Sequence, residues 1–149
     1  MIYGMQGTQT AGAKTALVIV STANGRPRLI EYKLSNVGAV TVDSQFEVQM
    51  KRFTIAGTTT AVTPASTDPS DPSPTLFTAG SNATVEPTYG AVTPIDDTGV
   101  NPRGIYRWTA YDPSAEVILP ATAANGIGFL LVTLGGAVTV IVDAKVRGS

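Results

Sequence analysis

Apolar and polar residues alternate at a period of two along several segments of this chain. The alternation is clearest in Val138–Val146, where one face carries valine or alanine at every second position. The segment 46–51 repeats it, with Phe46, Val48 and Met50 on the face predicted to be buried. No window combines an apolar repeat of 3.6 residues with helix-capping residues. The pattern therefore predicts an all-β fold.

Turn signals divide the chain into about eight predicted strands. Asn24-Gly25 and Gly135-Gly136 are pairs that tolerate the positive φ of tight turns, and the second pair joins Ile127–Leu134 to Val138–Val146 in a predicted hairpin. Asp68–Pro74 holds three prolines and is predicted to be a stiff surface loop, because proline lacks an amide donor. About eight strands with long, proline-rich crossovers predict an antiparallel β-sandwich of the jelly-roll type.

Two further segments carry specific expectations. Arg28–Ser35 alternates, with Ile30, Tyr32 and Leu34 placed on one face. Asp96–Gly104 is rich in aspartate and glycine, which favour turns, and is predicted to be a loop.

The N-terminal segment Met1–Lys14 is rich in Gly, Thr and Gln, with scattered apolar residues. It can be interpreted as a frayed terminus. It can also be interpreted as an extended arm that orders against a neighbouring molecule, with Ile2, Tyr3 and Met5 as anchors. The predicted organisation is an extended N-terminal arm over residues 1–14 and a single β-sandwich domain over residues 15–149.

The lack of histidine and cysteine limits the chemistry of the chain. It has no thiolate nucleophile, no imidazole base and no Cys/His metal site.

Charged residues make up 14%, and the net charge of −1 provides no field to attract nucleic acid or an anionic membrane. The apolar stretch Ile127–Val142 is interrupted by glycine and threonine, so no membrane span is predicted. A lightly charged surface favours association into an oligomer.

The carboxylates form two close pairs, Asp68 with Asp71 and Asp96 with Asp97. A calcium ion takes about six to eight oxygen ligands, whereas the first pair supplies two carboxylates between prolines. Both pairs are therefore interpreted as turn residues. No nucleophile elbow, Walker loop or dinucleotide-binding motif is present. We predict that the protein is not an enzyme and has no catalytic residue, metal, cofactor or small-molecule substrate.

Three segments, taken in order, resemble those of a known family. They are Phe46–Pro64, then Asp68–Pro72 with Thr78–Tyr89, then Arg107-Trp108 followed by Glu116–Gly128. Together they resemble the small jelly-roll proteins with which tailed phages decorate or cement their capsids. The resemblance covers roughly residues 40–130 and follows a pattern of loops and strands, without a catalytic signature.

The resemblance implies a virion protein on the capsid surface. It implies a homotrimer that binds the major capsid protein at three-fold or quasi-three-fold positions of an icosahedral head and bridges its subunits. A minor jelly-roll capsid protein is not distinguished from this. The expected capsid or subunit contacts are Ile2, Tyr3 and Met5 of the arm and Asp68 and Asp71 of the loop.

A carbohydrate-binding β-sandwich module on a virion or larger assembly is the alternative. It predicts that Tyr89, Tyr106, Trp108 and Tyr111 form an exposed platform on one face. The decoration protein predicts these aromatic residues in the core or in a subunit contact.

Overall fold

The described residues fold into two antiparallel sheets that pack as a β-sandwich. A computed structural model of the chain describes residues 1–9, 14–39, 45–132 and 139–148. Within these residues there is no helix, and the twelve strands are β1 (Ile2–Gln9), β2 (Thr15–Ser21), β3 (Arg28–Val37), β4 (Phe46–Phe53), β5 (Thr58–Val62), β6 (Ala65–Ser66), β7 (Phe77–Val85), β8 (Asp96–Val100), β9 (Tyr106–Thr109), β10 (Val117–Ile118), β11 (Gly126–Leu131) and β12 (Thr139–Arg147).

The strand pairing is nested from the chain ends inward. The first sheet has the order β10-β3-β12-β1-β6, with β9 also on β3, and the second has the order β5-β7-β2-β11-β4-β8. Thus β1 pairs with β12, β2 with β11, β3 with β9 and β10, and β4 with β8. This nesting across two sheets is the jelly roll, as predicted. The framework has eight strands if β9 and β10 count as one, and β5, β6 and β7 are an insertion between β4 and β8.

The core lies between the sheets and follows the alternation in the sequence. Phe46, Val48 and Met50 of β4 and the alternate residues Val140 and Val142 of β12 are all buried. Burying one such side chain stabilises the fold by about 1.5–3 kcal/mol. The predicted inward faces of β4 and β12 are confirmed.

The predicted face of β3 is wrong at one position. Tyr32 and Leu34 are buried as expected, but Leu29 is buried in place of Ile30, which is half-buried. The register with β12 skips Ile30 at an irregularity between Lys145 and Val146. A bulge of this kind shifts the alternation by one residue, and nothing in the local sequence marks it.

The predicted hairpin of Ile127–Leu134 and Val138–Val146 is also wrong. β11 lies in the second sheet between β2 and β4, whereas β12 lies in the first sheet between β1 and β3. Each strand is apolar because it is central in its own sheet, and not because the two strands pair. The predicted turn at Gly135-Gly136 lies outside the described residues.

Two segments expected to be irregular form strands. Asp96–Val100 is β8, at one edge of the second sheet, so the loop predicted over Asp96–Gly104 is wrong for these residues. Ile2–Gln9 is β1, whose eight residues all pair with β12, so the predicted arm is wrong for these residues. The sandwich therefore includes the chain from Ile2 onward, while residues 10–13 lie outside the described part.

Candidate contact surface

The start of β1 and the proline-rich loop lie against each other at one edge of the sandwich. Tyr3 pairs with Ser66 of β6, and the Ile2 carbonyl accepts a hydrogen bond of 2.9 Å from the Thr67 amide. We call residues 1–5 and 65–76 the β1–β6 corner. The structure thus brings together the two groups of residues predicted to make contacts, although they lie more than sixty positions apart in the chain.

The proline-rich loop is held by its own aspartates. Asp68 Oδ1 accepts a hydrogen bond of 2.9 Å from the Ser70 amide, and the Asp71 amide donates one of 3.0 Å to the Asp68 carbonyl. Asp71 Oδ2 accepts a hydrogen bond of 3.2 Å from Ser66 Oγ. Both carboxylates therefore serve as turn residues, in agreement with the interpretation of the sequence.

Tyr3 fastens the loop to the strand. Its hydroxyl donates a hydrogen bond of 2.8 Å to the Pro72 carbonyl, and its ring packs edge-to-face on Phe77 with centroids 5.7 Å apart. Tyr3 is 2% exposed and Met5 3%, because both point into the core of their own chain. The prediction that these two side chains contact a partner is therefore wrong for this arrangement. Ile2, Asp68 and Asp71 keep exposed area at the corner.

An open groove of about 490 Å³ runs beside the corner, between β1 and the connection from β5 to β6. Its floor carries Asp143, whose two oxygens lie 3.1 Å from Lys33 Nζ and 3.3 Å from Lys145 Nζ. Gly4 leaves room for this lysine, since an added Cβ would lie 3.0 Å from Lys145 Nζ. Lys33 and Lys145 neutralise the charge of Asp143. This carboxylate therefore does not make the groove a reactive site.

A second polar cluster joins the two sheets on the side of the sandwich away from the β1–β6 corner. Asp96 of β8 accepts hydrogen bonds from the hydroxyls of Tyr32 and Tyr106, the latter at 2.9 Å. Burial, followed by the hydrogen bond to Asp96, raises the pKa of both tyrosines above the ordinary value of 10.0. Both hydroxyls therefore stay protonated, and the cluster acts as a structural tie. Nothing in the local sequence marks this cluster, because Asp96-Asp97-Thr98-Gly99 is typical of a turn.

Two carboxylates that line a second open groove, Glu31 and Glu116, are also paired with cations. Glu116 lies 2.9 Å from Arg147 and 3.6 Å from Arg28, and Glu31 lies 2.6 Å from Arg107. These ion pairs lie on the outer face of the first sheet. Both carboxylates are thus held by guanidinium groups of the same fold.

A third cluster holds residues 86–90 over the outer face of the second sheet. Glu86 accepts hydrogen bonds of 3.0 Å from the Thr15 amide and 2.6 Å from Thr15 Oγ1, which also contacts the Tyr89 hydroxyl. Burial raises the pKa of Tyr89 above 10.0. Tyr89 occupies the space over Gly128, where a Cβ would meet its hydroxyl.

The four aromatic residues that would form a sugar platform are dispersed. Tyr106 and Trp108 pack against the core, and Trp108 stacks on Tyr32 with centroids 6.1 Å apart. Tyr89 covers the other sheet, edge-to-face with Phe53. Tyr111 is 88% exposed. The four rings therefore do not share one face.

The described ranges contain no group of three or more acidic side chains placed to hold a metal ion. Among the same residues, no helix has the length and apolarity needed to cross a membrane. No protein-family model, curated protein or solved structure matches the chain.

Proposed function

We propose that the protein is a capsid decoration or cement protein. It binds the outer surface of an icosahedral phage head as a homotrimer, bridges subunits of the major capsid protein and stabilises the shell. The observation that carries the proposal over the glycan-binding alternative is the placement of the aromatic residues. Tyr106 and Trp108 pack against the core and Tyr89 covers the second sheet, so they serve packing and not a platform.

The polar groups support a static role. In the clusters described above, Asp96, Asp143, Glu86 and Glu116 accept hydrogen bonds or pair with cations of the same fold. Catalysis needs a group poised to exchange a proton, and these carboxylates serve instead to fix strands and loops to one another. A cement protein needs such rigidity, because it resists strain in the shell without turnover.

The β1–β6 corner is the proposed contact with the capsid. Ile2, Asp68 and Ser70 keep exposed area there, and the hydrogen bonds from Ser70 and Asp71 to Asp68 fix the loop before binding. A preformed loop loses little conformational freedom on binding. Three copies on one trimer would multiply a weak contact through avidity.

Light scattering of the purified protein tests the assembly. A trimer has three times the chain mass of 15.4 kDa, and a mass that stays at one chain across micromolar concentrations would overturn the trimer. Co-sedimentation with heads of the phage whose genome encodes the chain tests the binding. Absence of the protein from the head fraction would overturn the decoration role.

A pair of variants tests the corner. Ser70→Glu places a charge on the exposed loop and leaves the Ser70 amide free to donate to Asp68. Thr122→Glu places the same charge on an exposed turn outside the corner. We expect the first variant to lose binding to heads at an unchanged thermal midpoint, and the second to bind like the wild type. Equal binding of both would exclude the corner as the contact.

A further inference from the structure

The edges of a β-sheet carry unpaired backbone groups, and proteins protect them with charges, shortness or bulges. Most edges of this sandwich show such protection. β6 and β10 have two residues each. β8 carries Asp96 and Asp97, and β9 carries Arg107. These edges are poor templates for a further strand.

β5 is different. It is a five-residue strand at the end of the second sheet, and within the described part of the chain no strand pairs with its outer side. No charged residue occurs between Arg52 and Asp68. Thr58, Thr60 and Ala61 are exposed, and threonine and valine favour strands. The edge therefore offers uncharged backbone to an incoming strand.

The irregularity beside β5 does not protect it. Between Thr58 and Thr60 the register with β7 moves from Val85 to Ser81, so the extra residues lie in β7, where Asn82 has a φ of 53°. β5 itself has no inserted residue and presents a regular edge. A bulge protects an edge only when it distorts the edge strand.

Apolar side chains flank this edge at its start. Val85 pairs with Thr58, and Ile55 precedes β5 by three positions. Each is 59% exposed. Val85 lies on β7, on the paired side of β5, so the open edge itself presents the backbone groups and side chains of β5 to an incoming strand.

We propose that β5 pairs antiparallel with β5 of a second copy of this chain, about a two-fold axis at Thr60. Thr58 then lies opposite Val62 of the second copy, and two six-stranded sheets become one. The lack of charge selects a second copy as the occupant. Any charge at the centre of the strand would face itself across the axis, whereas a different partner could match it with the opposite charge.

This contact is independent of the trimer proposed above and extends it. A two-fold contact at β5 joins one trimer to the next, because a three-fold interface must use another part of the surface. The β5 edge would thus link neighbouring decoration proteins directly. It does not require the β1–β6 corner.

A single cysteine reports the pairing, since the natural chain has none. Residues that face each other in an antiparallel pair have Cα atoms about 4.5–5.5 Å apart, which suits a disulfide. We expect Thr60→Cys to form a covalent dimer under mild oxidation. Thr122→Cys, on an exposed turn, is the control. Cross-linking of Thr60→Cys no faster than the control would overturn the proposal.

Charge variants give a second readout by sedimentation velocity. Thr60→Lys and Thr60→Glu each place like charges across the axis and should each lose the β5 contact, while an equimolar mixture should regain it. Failure of the mixture to regain it would overturn the pairing at Thr60. A wild-type monomer–dimer equilibrium abolished by Thr60→Lys would support the β5 contact and contradict the trimer. A trimer unaffected by Thr60→Lys at all concentrations would support the trimer and contradict the β5 contact.

Discussion

Asp96 shows how one side chain can tie two sheets. Its carboxylate lies on β8 of the second sheet and accepts from two tyrosine hydroxyls of the first. Tyr32 has no exposed surface, so its hydroxyl depends on this acceptor. The neighbouring Asp97 instead accepts from the side chain of Gln49 at the surface. The two adjacent aspartates, both predicted to be turn residues, should therefore contribute differently to the stability of the fold.

Replacing each aspartate by alanine tests that difference. Asp96→Ala leaves the buried Tyr32 hydroxyl without its acceptor, which should lower the free energy of unfolding by about 1–3 kcal/mol. Asp97→Ala removes an exposed hydrogen bond and should change stability by less than about 0.5 kcal/mol. Urea unfolding of both variants measures the difference, and equal losses would contradict the structural tie.

Tyr32 also predicts a pH dependence. Burial raises its folded-state pKa above the unfolded value of 10.0, so the unfolded chain releases this proton first as the pH rises. The stabilisation is complete below about pH 10 and falls above it, by about 1.4 kcal/mol per pH unit for one tyrosine. Urea unfolding above pH 10 should therefore show a shallower decline for Tyr32→Phe than for the wild type. Tyr111→Phe, which changes an exposed ring, should keep the wild-type slope.

At the scale of elements, β1 is the strand whose role differs most from the expectation. It lies between β12 and β6, and Gly7 brings it against β2. A Cβ on Gly7 would lie 2.2 Å from the Ala16 carbonyl oxygen and 2.7 Å from Leu17 Cβ. The glycine is thus required by a close approach between the sheets, and residue composition alone suggested a loose arm.

Two glycine substitutions on β1 test this packing. Gly7→Ala should destabilise the protein by about 1–3 kcal/mol or more, because backbone must move to admit the methyl group. Gly4→Ala, on the same strand, meets only the flexible end of Lys145 and should have little effect. Thermal unfolding compares them. A free arm would tolerate both substitutions equally, and that result would contradict β1 as a core strand.

The sequence predicted the elements whose faces differ in polarity. β4 over residues 46–51 and β12 over residues 140–146 were correctly oriented, because every second residue there is apolar and buried. The bulge at Ile30 and the partners of β11 could not be predicted, since both depend on register with distant strands. β8 was missed because aspartate and glycine are typical of turns, although an edge strand tolerates them.

The contact surface was also predicted only where it depends on local sequence and not on contacts between distant residues. The stiffness of the proline loop and the turn roles of Asp68 and Asp71 follow from local chemistry. The pairing of that loop with β1 does not, because it needs contacts between residues far apart in the chain. The sequence pattern therefore predicts a contact of Tyr3 with another molecule, whereas its hydroxyl donates a hydrogen bond to Pro72 of the same chain.

At the scale of the whole molecule, the nested pairing brings the two chain ends together. Ile2 pairs with Arg147, and the Gly148 amide donates a hydrogen bond of 3.1 Å to the Met1 carbonyl. Both ends lie beside the β1–β6 corner, since Met1 and Gly148 line a small cavity with Tyr3 and Pro72. The fold thus depends on contacts between sequence extremes, which makes folding slow relative to local topologies.

A circular permutant tests whether the fold depends on this closure and not on where the chain begins. Joining the ends by a short flexible linker and opening the chain between Ala123 and Ala124, in an exposed turn, should preserve the fold. Opening it between Val142 and Asp143 cuts the central strand β12 and should abolish cooperative unfolding. Circular dichroism and urea unfolding distinguish the two. An unfolded first permutant would contradict the adjacency of the ends, because the linker spans only a short gap when Met1 and Gly148 are neighbours.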